Sequence, residues 1–381
     1  MPDQAHAGGP APTRLVVWPN ALTVARRRAG GVAEPARRGS GRLAHVRRLL
    51  VTLAALLSVA VGCGAEPEAQ PTASPTSTAA EPTTTPTPTP EPIWPLTGLP
   101  APAGPAERPV LVVKVDNTAS ARPQVGLSAA DIVVEELVEG GLTRLAAMYH
   151  STLPDAVAPV RSIRTSDIGI VLPTGGALVA SGGAQRVLQA MDEAGVTVVT
   201  EGSAGFSRAG GRPSLYSVTV ELEELLTEVG DLESPHVPYL PWAGPDDEPP
   251  AGERAATIRA QFSGGRTSVW DWTDGGWHLR DDLAAENDEF VADTLLVLRV
   301  AVRDAGYTDP AGNFVPETVL EGSGDAILFA GASAIEGTWS KPSAEKPFAL
   351  AGVDGEPLAV PAGKTWIGLV PQDGDVSWTT P

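Results

Sequence analysis

Apolar and polar positions change rhythm several times along this 381-residue chain. Residues 110–115 (VLVVKV) form a short apolar run between Pro109 and the Asp116-Asn117 pair, the pattern of a buried strand. Ser128 is placed to cap a short helical turn through Asp131. Residues 132–138 (IVVEELV) and 142–150 (LTRLAAMYH) are two strand-like runs around Gly140-Gly141, which predicts a β-hairpin. Residues 162–170 fit a short helix. Residues 178–181 read as a strand ending at Gly182-Gly183, and 184–195 as a helix stopped by Gly195. A strand at VTVVT and a helix closed by Gly230 complete this half.

The second half has another texture. SVWDW, GWHLR, TLLVLRVAV, PETVL, DAILFAG, PFAL and TWIGLV are short runs separated by turn residues, and Gly275-Gly276 marks a hairpin. Helical spacing is almost absent. The expected class is therefore α+β, with a mixed α/β first domain over 93–234, a linker over 235–264 and a mostly antiparallel β domain over 265–381. Trp270, Trp272, Trp277, Trp339, Trp366 and Trp378 fall in the second half. Their indoles suit core packing better than exposed sugar platforms.

The first 92 residues obey neither rhythm. Arg47-Arg48 precede a fourteen-residue apolar run, 49–62, that stops at Cys63. A spanning helix needs roughly twenty apolar residues, so this run has the length of a signal-peptide core. Ala60-Val61-Gly62-Cys63 resembles the bacterial lipobox, and Cys63 is the only cysteine in the chain. That resemblance implies a diacylglycerol thioether (and palmitate) on Cys63 and an extracytoplasmic, lipid-anchored protein. Two acyl chains, at about 0.8 kcal/mol per buried methylene, hold a protein at a bilayer where one does not. Nothing before Arg47 serves such a signal, which points to a translation start near Val46. Residues 63–92, rich in Pro and Thr, have too little to bury and form an extended tether of at most ~90 Å, at ~3.1 Å per residue.

Charge follows the same division. Residues 1–62 hold nine of the 27 basic residues and two of the 46 acidic ones, leaving 18 basic against 44 acidic beyond them, a net −26. Such a body repels nucleic-acid phosphates, which excludes nucleic acid as a partner. One cysteine excludes a disulfide or a Cys-based zinc site, and only His150, His236 and His278 follow the leader.

Against that acidic background Arg122, Arg144, Arg161 and Arg164 stand out. On a helix, Arg161 and Arg164 would share a face and could grip a phosphate or carboxylate bidentately. Pairing with Asp131, Glu135, Glu136, Glu139 or Asp167 in an internal network is the competing expectation. Gly182 and Gly183, at a strand end before a helix, could offer backbone N–H groups to an anion. Asp116, Asp131, Glu135 and Asp167 are oxygen donors for Mg²⁺ or Ca²⁺, although their spacing follows no known loop. No nucleophile elbow, zinc-protease, P-loop or dinucleotide motif is present, so the catalytic residues, and whether there are any, stay open.

Several longer segments resemble one family. They are PLTGLP (95–100), ARPQVGLSAADIVVEELVEGGLTRLAAMY (121–149), APVRSIRTSD (158–167), SGG (181–183), EGTWSK (336–341) and PAGKTWIGLVP (361–371). Together they resemble the YerB-like bacterial lipoproteins, whose N- and C-terminal domains would both be present and whose activity is unknown. Three functional classes follow as expectations. The first is a non-enzymatic envelope protein binding an anionic cell-wall component through the arginines. The second is a transferase similar to the LytR type, which would use Arg and an Asp-held Mg²⁺ on pyrophosphate-linked glycopolymer. The third is a scaffold for other envelope proteins.

Overall fold

The computed structural model describes residues 13–15 and 91–381, apart from 246 and 249. Cys63, the leader and the tether therefore lie outside the described residues. Strands dominate, at 42% against 13% helix, so the helical share expected of the first half is smaller than its spacing implied.

The first-half strands are β1 (Leu111–Asp116), β2 (Ile132–Leu137), β3 (Thr143–Tyr149), β4 (Ala177–Ala180) and β5 (Thr197–Thr200). β2 and β3 form the expected antiparallel pair, turning through Gly140 and Gly141, both at φ +70°. Only glycine takes two successive residues of that sign at little steric cost. β3 then pairs antiparallel with β1, while β1, β4 and β5 run parallel to one another. Helix α1 (Asp167–Val171) begins five residues later than predicted, after an extended segment through Arg161–Arg164. Pro173 and left-handed Gly175 end it within two turns. Helix α2 (Gln185–Glu193) follows β4 and stops at left-handed Gly195. After the short pair β6 (Phe206–Arg208) and β7 (Val218–Val220) comes α3 (Leu222–Val229). Its first turn carries Glu223 and Glu224, which favour the positive helix end. Gly230 follows with ordinary right-handed geometry, not as a left-handed stop. Ser128 sits inside a 3-10 turn and donates to Asp288 Oδ1 (2.6 Å), so it does not cap that turn.

The second half contributes β8 (Thr257–Ser263), β9 (Arg266–Thr273) and β10 (Gly276–Leu279) to a small antiparallel sheet. The β9–β10 turn is Asp274-Gly275, both at positive φ, the two-residue arrangement that matches strand twist. β11 (Thr294–Thr308), β12 (Phe314–Val319), β13 (Gly322–Ala330), β14 (Ser333–Lys341), β15 (Ala349–Gly352) and β16 (Thr365–Pro371) join the large sheet. β17 (Asp375–Thr379) returns to pair with β8, and Thr13–Leu15 pairs with β17.

One twelve-stranded sheet draws on both halves, in the order β15-β14-β13-β11-β16-β2-β3-β1-β4-β5, with β12 added to β11 and Glu253–Arg254 to β14. β16 lies between β11 and β2 and is parallel to both. The second half is thus not purely antiparallel. TWIGLV is apolar at nearly every position because β16 is covered on both faces, as strands with parallel neighbours usually are. On one face the core includes Val112, Val134, Met148, Ile170, Leu178, Leu296 and Ile367. Elsewhere the tryptophans pack edge to face: Trp270 on Trp366 (4.7 Å between centroids), Trp272 on Trp277 (5.2 Å) and Trp378 on Phe329 (5.6 Å). Among the described residues, no helix is long and apolar enough to cross a membrane.

Candidate functional site

Strand alternation decides which charges can meet. Consecutive residues of a strand point to opposite faces, so Glu135 and Glu136 of β2 part company. Glu135 faces the small sheet and is wholly buried. It accepts from Ser268 Oγ (2.9 Å), Thr143 Oγ1 (2.8 Å), Asn117 Nδ2 (3.0 Å) and Arg266 Nη2 (3.1 Å). Glu136 is opposite Arg144 of β3, which is opposite Asp116 of β1, so these three share the other face. Lys114, two residues before Asp116, lies on that face too. Its Nζ is 2.6 Å from Glu136 Oε1 and 2.7 Å from Asp167 Oδ1. Ala146, opposite Lys114 on the intervening strand, places only a methyl in that path. Ser166 Oγ donates to Glu136 as well. Burial pushes the Asp167 carboxyl up to about 6 despite Lys114, whose charge is shared with Glu136.

Above this buried cluster, the carboxyl ends of β1, β4 and β5 come to one edge of the sheet, the place where open α/β sheets form crevices. The segment 161–164 crosses that edge: Arg161 N donates to Lys114 O, Ser181 N to Arg161 O, and Ile163 N to Gly182 O. Arg161 Nη1 donates to Asp116 Oδ2, and its guanidinium stands 5.5 Å from the Tyr216 ring centroid. Among the described residues, Nε and Nη2 of Arg161 donate to no protein group. Arg144 and Arg164 converge on Glu139. Arg144 Nη2 is 3.0 Å from Oε1, Arg164 Nε is 2.9 Å from Oε2, and Arg164 Nη2 also donates to Oε1. Arg144 Nη1 also donates to Ser162 O, and Arg164 Nη1 to Ile163 O. Burial, then the neighbouring Arg164, lowers Arg144 to about 10. Burial pushes Glu139 up, but the two guanidiniums outweigh it and leave the carboxyl below its ordinary range.

Two cavities open here. One of about 210 Å³ is lined by Asp116, Thr118, Arg144, Arg161, Tyr216 and Asn313, among others. The other, about 350 Å³, is lined by Arg161, Ser162, Ser181, Glu201, Arg208 and Ser214, with Leu215 at both. Arg208 is occupied by Glu201 through two bonds (2.5 and 2.7 Å) and by Ser214 O.

Three of the four singled-out arginines therefore meet at one edge, and the fourth does not. Arg122 donates to Asp282 O (2.9 Å) away from both cavities. Arg161 and Arg164 share no helix face, because 161–164 is extended and held by bonds to β1 and to Gly182. Gly183 packs against the Ile163 side chain: a Cβ there would lie 2.5 Å from Ile163 Cγ1. Gly182, at φ +131°, turns the chain out of β4.

The four carboxylates named as oxygen donors are placed apart. Asp116 takes Arg161, Glu135 takes Arg266, and Asp167 takes Lys114 and Arg164 N. Asp131, at the far end of the hairpin, accepts from His150 N (2.7 Å) and Ser151 N (2.9 Å). Among the described residues no three side chains of the ligating types gather into a metal-binding group. This donor set does not fit a shared Mg²⁺.

Tyr216 and Asn313 carry no periodic or motif signal and come to the site only through the fold, whereas Ser181 opens the SGG segment. Lys114 also carried a signal, as a lone charge inside an apolar run.

The comparisons with known proteins agree with this architecture. The profile described as "Protein of unknown function (DUF3048) N-terminal domain" matches residues 96–234, and that of the C-terminal domain matches residues 258–367. The chain belongs to the DUF3048 family. A relative from Bacillus subtilis (strain 168), described as "Putative lipoprotein YerB", is 51% identical over 70 residues. That alignment covers 18% of this chain and 21% of the relative, about a fifth of its length. The crystal structure of the YerB protein from Bacillus subtilis superposes with a TM-score of 0.63 at 23% identity, over 74% of this chain and 99% of that one. At that identity the likeness concerns the fold alone.

Proposed function

We propose that this DUF3048 protein is a lipid-anchored envelope protein, moored through Cys63 on the extracytoplasmic face, that binds an anionic cell-wall component at Arg161. The description of the Bacillus relative as a lipoprotein supports the anchoring half, as do the lipobox-like 60–63 and the tether behind it. A single observation carries the binding half. Among the described residues Arg161 keeps both Nε and Nη2 without a protein acceptor, and it lines both open cavities at the carboxyl ends of parallel strands. A guanidinium already fixed by Asp116 on one side is preorganised, so less freedom is lost when a ligand takes the other.

The reading as a transferase that relies on a carboxylate-held Mg²⁺ has less support, since Asp116 and the other named carboxylates each have a separate partner. The pairing of Arg144 and Arg164 with the shared Glu139, which ties up both side chains in an internal network, favours the scaffold reading at those two positions. Thermal shift with undecaprenyl-pyrophosphate analogues, with and without Mg²⁺, separates the three, because a ligand that binds only the native state raises the melting temperature. Binding lost in Arg161→Gln supports the proposal. A shift only with Mg²⁺ favours the transferase, and no shift favours the scaffold.

A further inference from the structure

From Ala301 onward β11 pairs, among the described residues, with β12 alone, so the two strands leave the large sheet as a ribbon. Its root is fixed: β12 packs beside the Glu139–Gly141 turn, and Val315 is buried. Its tip crosses to the first half. Arg186 of α2 donates from Nη1 to Gly306 O (2.9 Å), and its guanidinium stands 4.9 Å from the Tyr307 ring centroid. Beyond that contact, Asp309 and Asn313 stand in the wall of the smaller cavity together with Arg144 and Arg161.

We infer that this tip is an autoinhibitory strap: latched by Arg186, it holds a carboxylate in the wall of the anion cavity, and a ligand enters that cavity when the latch opens. The inference rests on the reading of Arg161 as the anion contact and deepens it by naming how that site is regulated.

Three observations carry it. The first is charge. Asn313 donates to Asp309 from Nδ2 (2.9 Å) and from its backbone N (2.7 Å). The side-chain bond above all keeps the Asp309 carboxyl below its ordinary range, so it is ionised at neutral pH. A fixed negative charge in the wall that carries Arg161 repels an incoming anion.

The second is room. With the tip as part of its wall, the smaller cavity holds about 210 Å³, under the roughly 300–1,000 Å³ usual for a small-molecule site. Moving the tip away enlarges the cavity and removes Asp309 in one step.

The third is a weak point between root and tip. Asp304 is opposite Pro316 and Thr308 opposite Phe314, so residues 305–307 stand against Val315 alone. Such a bulge interrupts the ladder, Pro316 has no N–H to give it, and Gly306 takes φ +74°. The tip beyond is held by its own bonds, Asp309 N to Asn313 O (2.8 Å) and Gly312 N to Asp309 O (3.0 Å). It can therefore swing as a unit. Arg186 is exposed, where cation–π contacts are at their weakest, so its hold is reversible.

The test uses the full chain carrying Cys63→Ser, in detergent, with nitroxides at Ala311→Cys and Gln189→Cys, both exposed positions. Double electron–electron resonance reads the distance from tip to α2. Isothermal titration with an undecaprenyl-pyrophosphate analogue and with glycerophosphoglycerol reads binding. Without the Arg186 substitution the distance should be short and narrowly distributed. In Arg186→Gln it should lengthen and broaden, and binding should tighten about tenfold, because apparent affinity scales with the fraction of molecules that are open. Arg186→Lys keeps the charge, loses the planar fork and should fall between. An unchanged distance in Arg186→Gln, or a longer one with binding no tighter, overturns the strap. If Arg161→Gln still abolishes binding in that case, the anion reading stands. Binding that survives Arg161→Gln, or no binding by any of these proteins, overturns both.

Discussion

Lys114 Nζ lies 2.6 Å from Glu136 Oε1, with both side chains wholly shielded from water. Such a pair adds little net stability over a well-packed apolar replacement, yet removing one partner strands a buried charge, at a cost of about 3–5 kcal/mol. Lys114→Met should destabilise the protein by that amount in urea denaturation. Adding Glu136→Gln and Asp167→Asn should recover much of the loss, since the three groups form one network.

The same cluster sets a pH dependence. Asp167 is raised from 3.8 to about 6 by burial, in spite of Lys114. Between those values the folded protein holds a proton that the unfolded chain has released, so its contribution to stability is present at low pH and is lost as pH rises towards 6. Glu136 is shifted the other way: burial raises it, but Lys114 outweighs that and leaves it low, so its contribution is lost as pH falls below 4.5. Urea midpoints measured from pH 4 to 7 should therefore contain a falling component that Asp167→Asn abolishes.

Gly183→Ala would place a methyl 2.5 Å from Ile163 Cγ1, on the segment that carries Arg161. Overpacking of this kind costs about 1–3 kcal/mol. Thermal unfolding should show the loss, and ligand affinity should fall with it because Ile163 and Arg161 move together. Gly175→Ala, strained by φ +64° but with nothing within 4 Å of its Cβ, should destabilise without changing affinity.

Cys63→Ser should release the protein from membranes. The wild type should incorporate radiolabelled palmitate and partition into the detergent phase of a Triton X-114 extract, and the variant should do neither.

The sequence is a good guide where one face of one element decides the outcome. The β2–β3 hairpin was legible because two strand-like runs flank two glycines that must take positive φ. Helix α2 was legible from its spacing and Gly195. The place of β16 between strands of both halves was not, since an apolar run carries no mark of its neighbours or their direction. The arginine cluster was half legible. Its residue types stood out against an acidic chain, but local spacing put 161 and 164 on a helix that long-range bonds to Lys114 O and Gly182 O replace with extended backbone. Tyr216 and Asn313, distant in sequence and unpatterned, reach the cavity only through tertiary structure.

The most direct test compares wild type and Arg161→Gln, matched for melting temperature, in titrations with an undecaprenyl-pyrophosphate analogue and with glycerophosphoglycerol. The account predicts measurable binding of at least one probe by the wild type and a loss of at least tenfold in the variant, about 1.4 kcal/mol. Equal affinity in the two proteins, or no binding of either probe by the wild type, would contradict it.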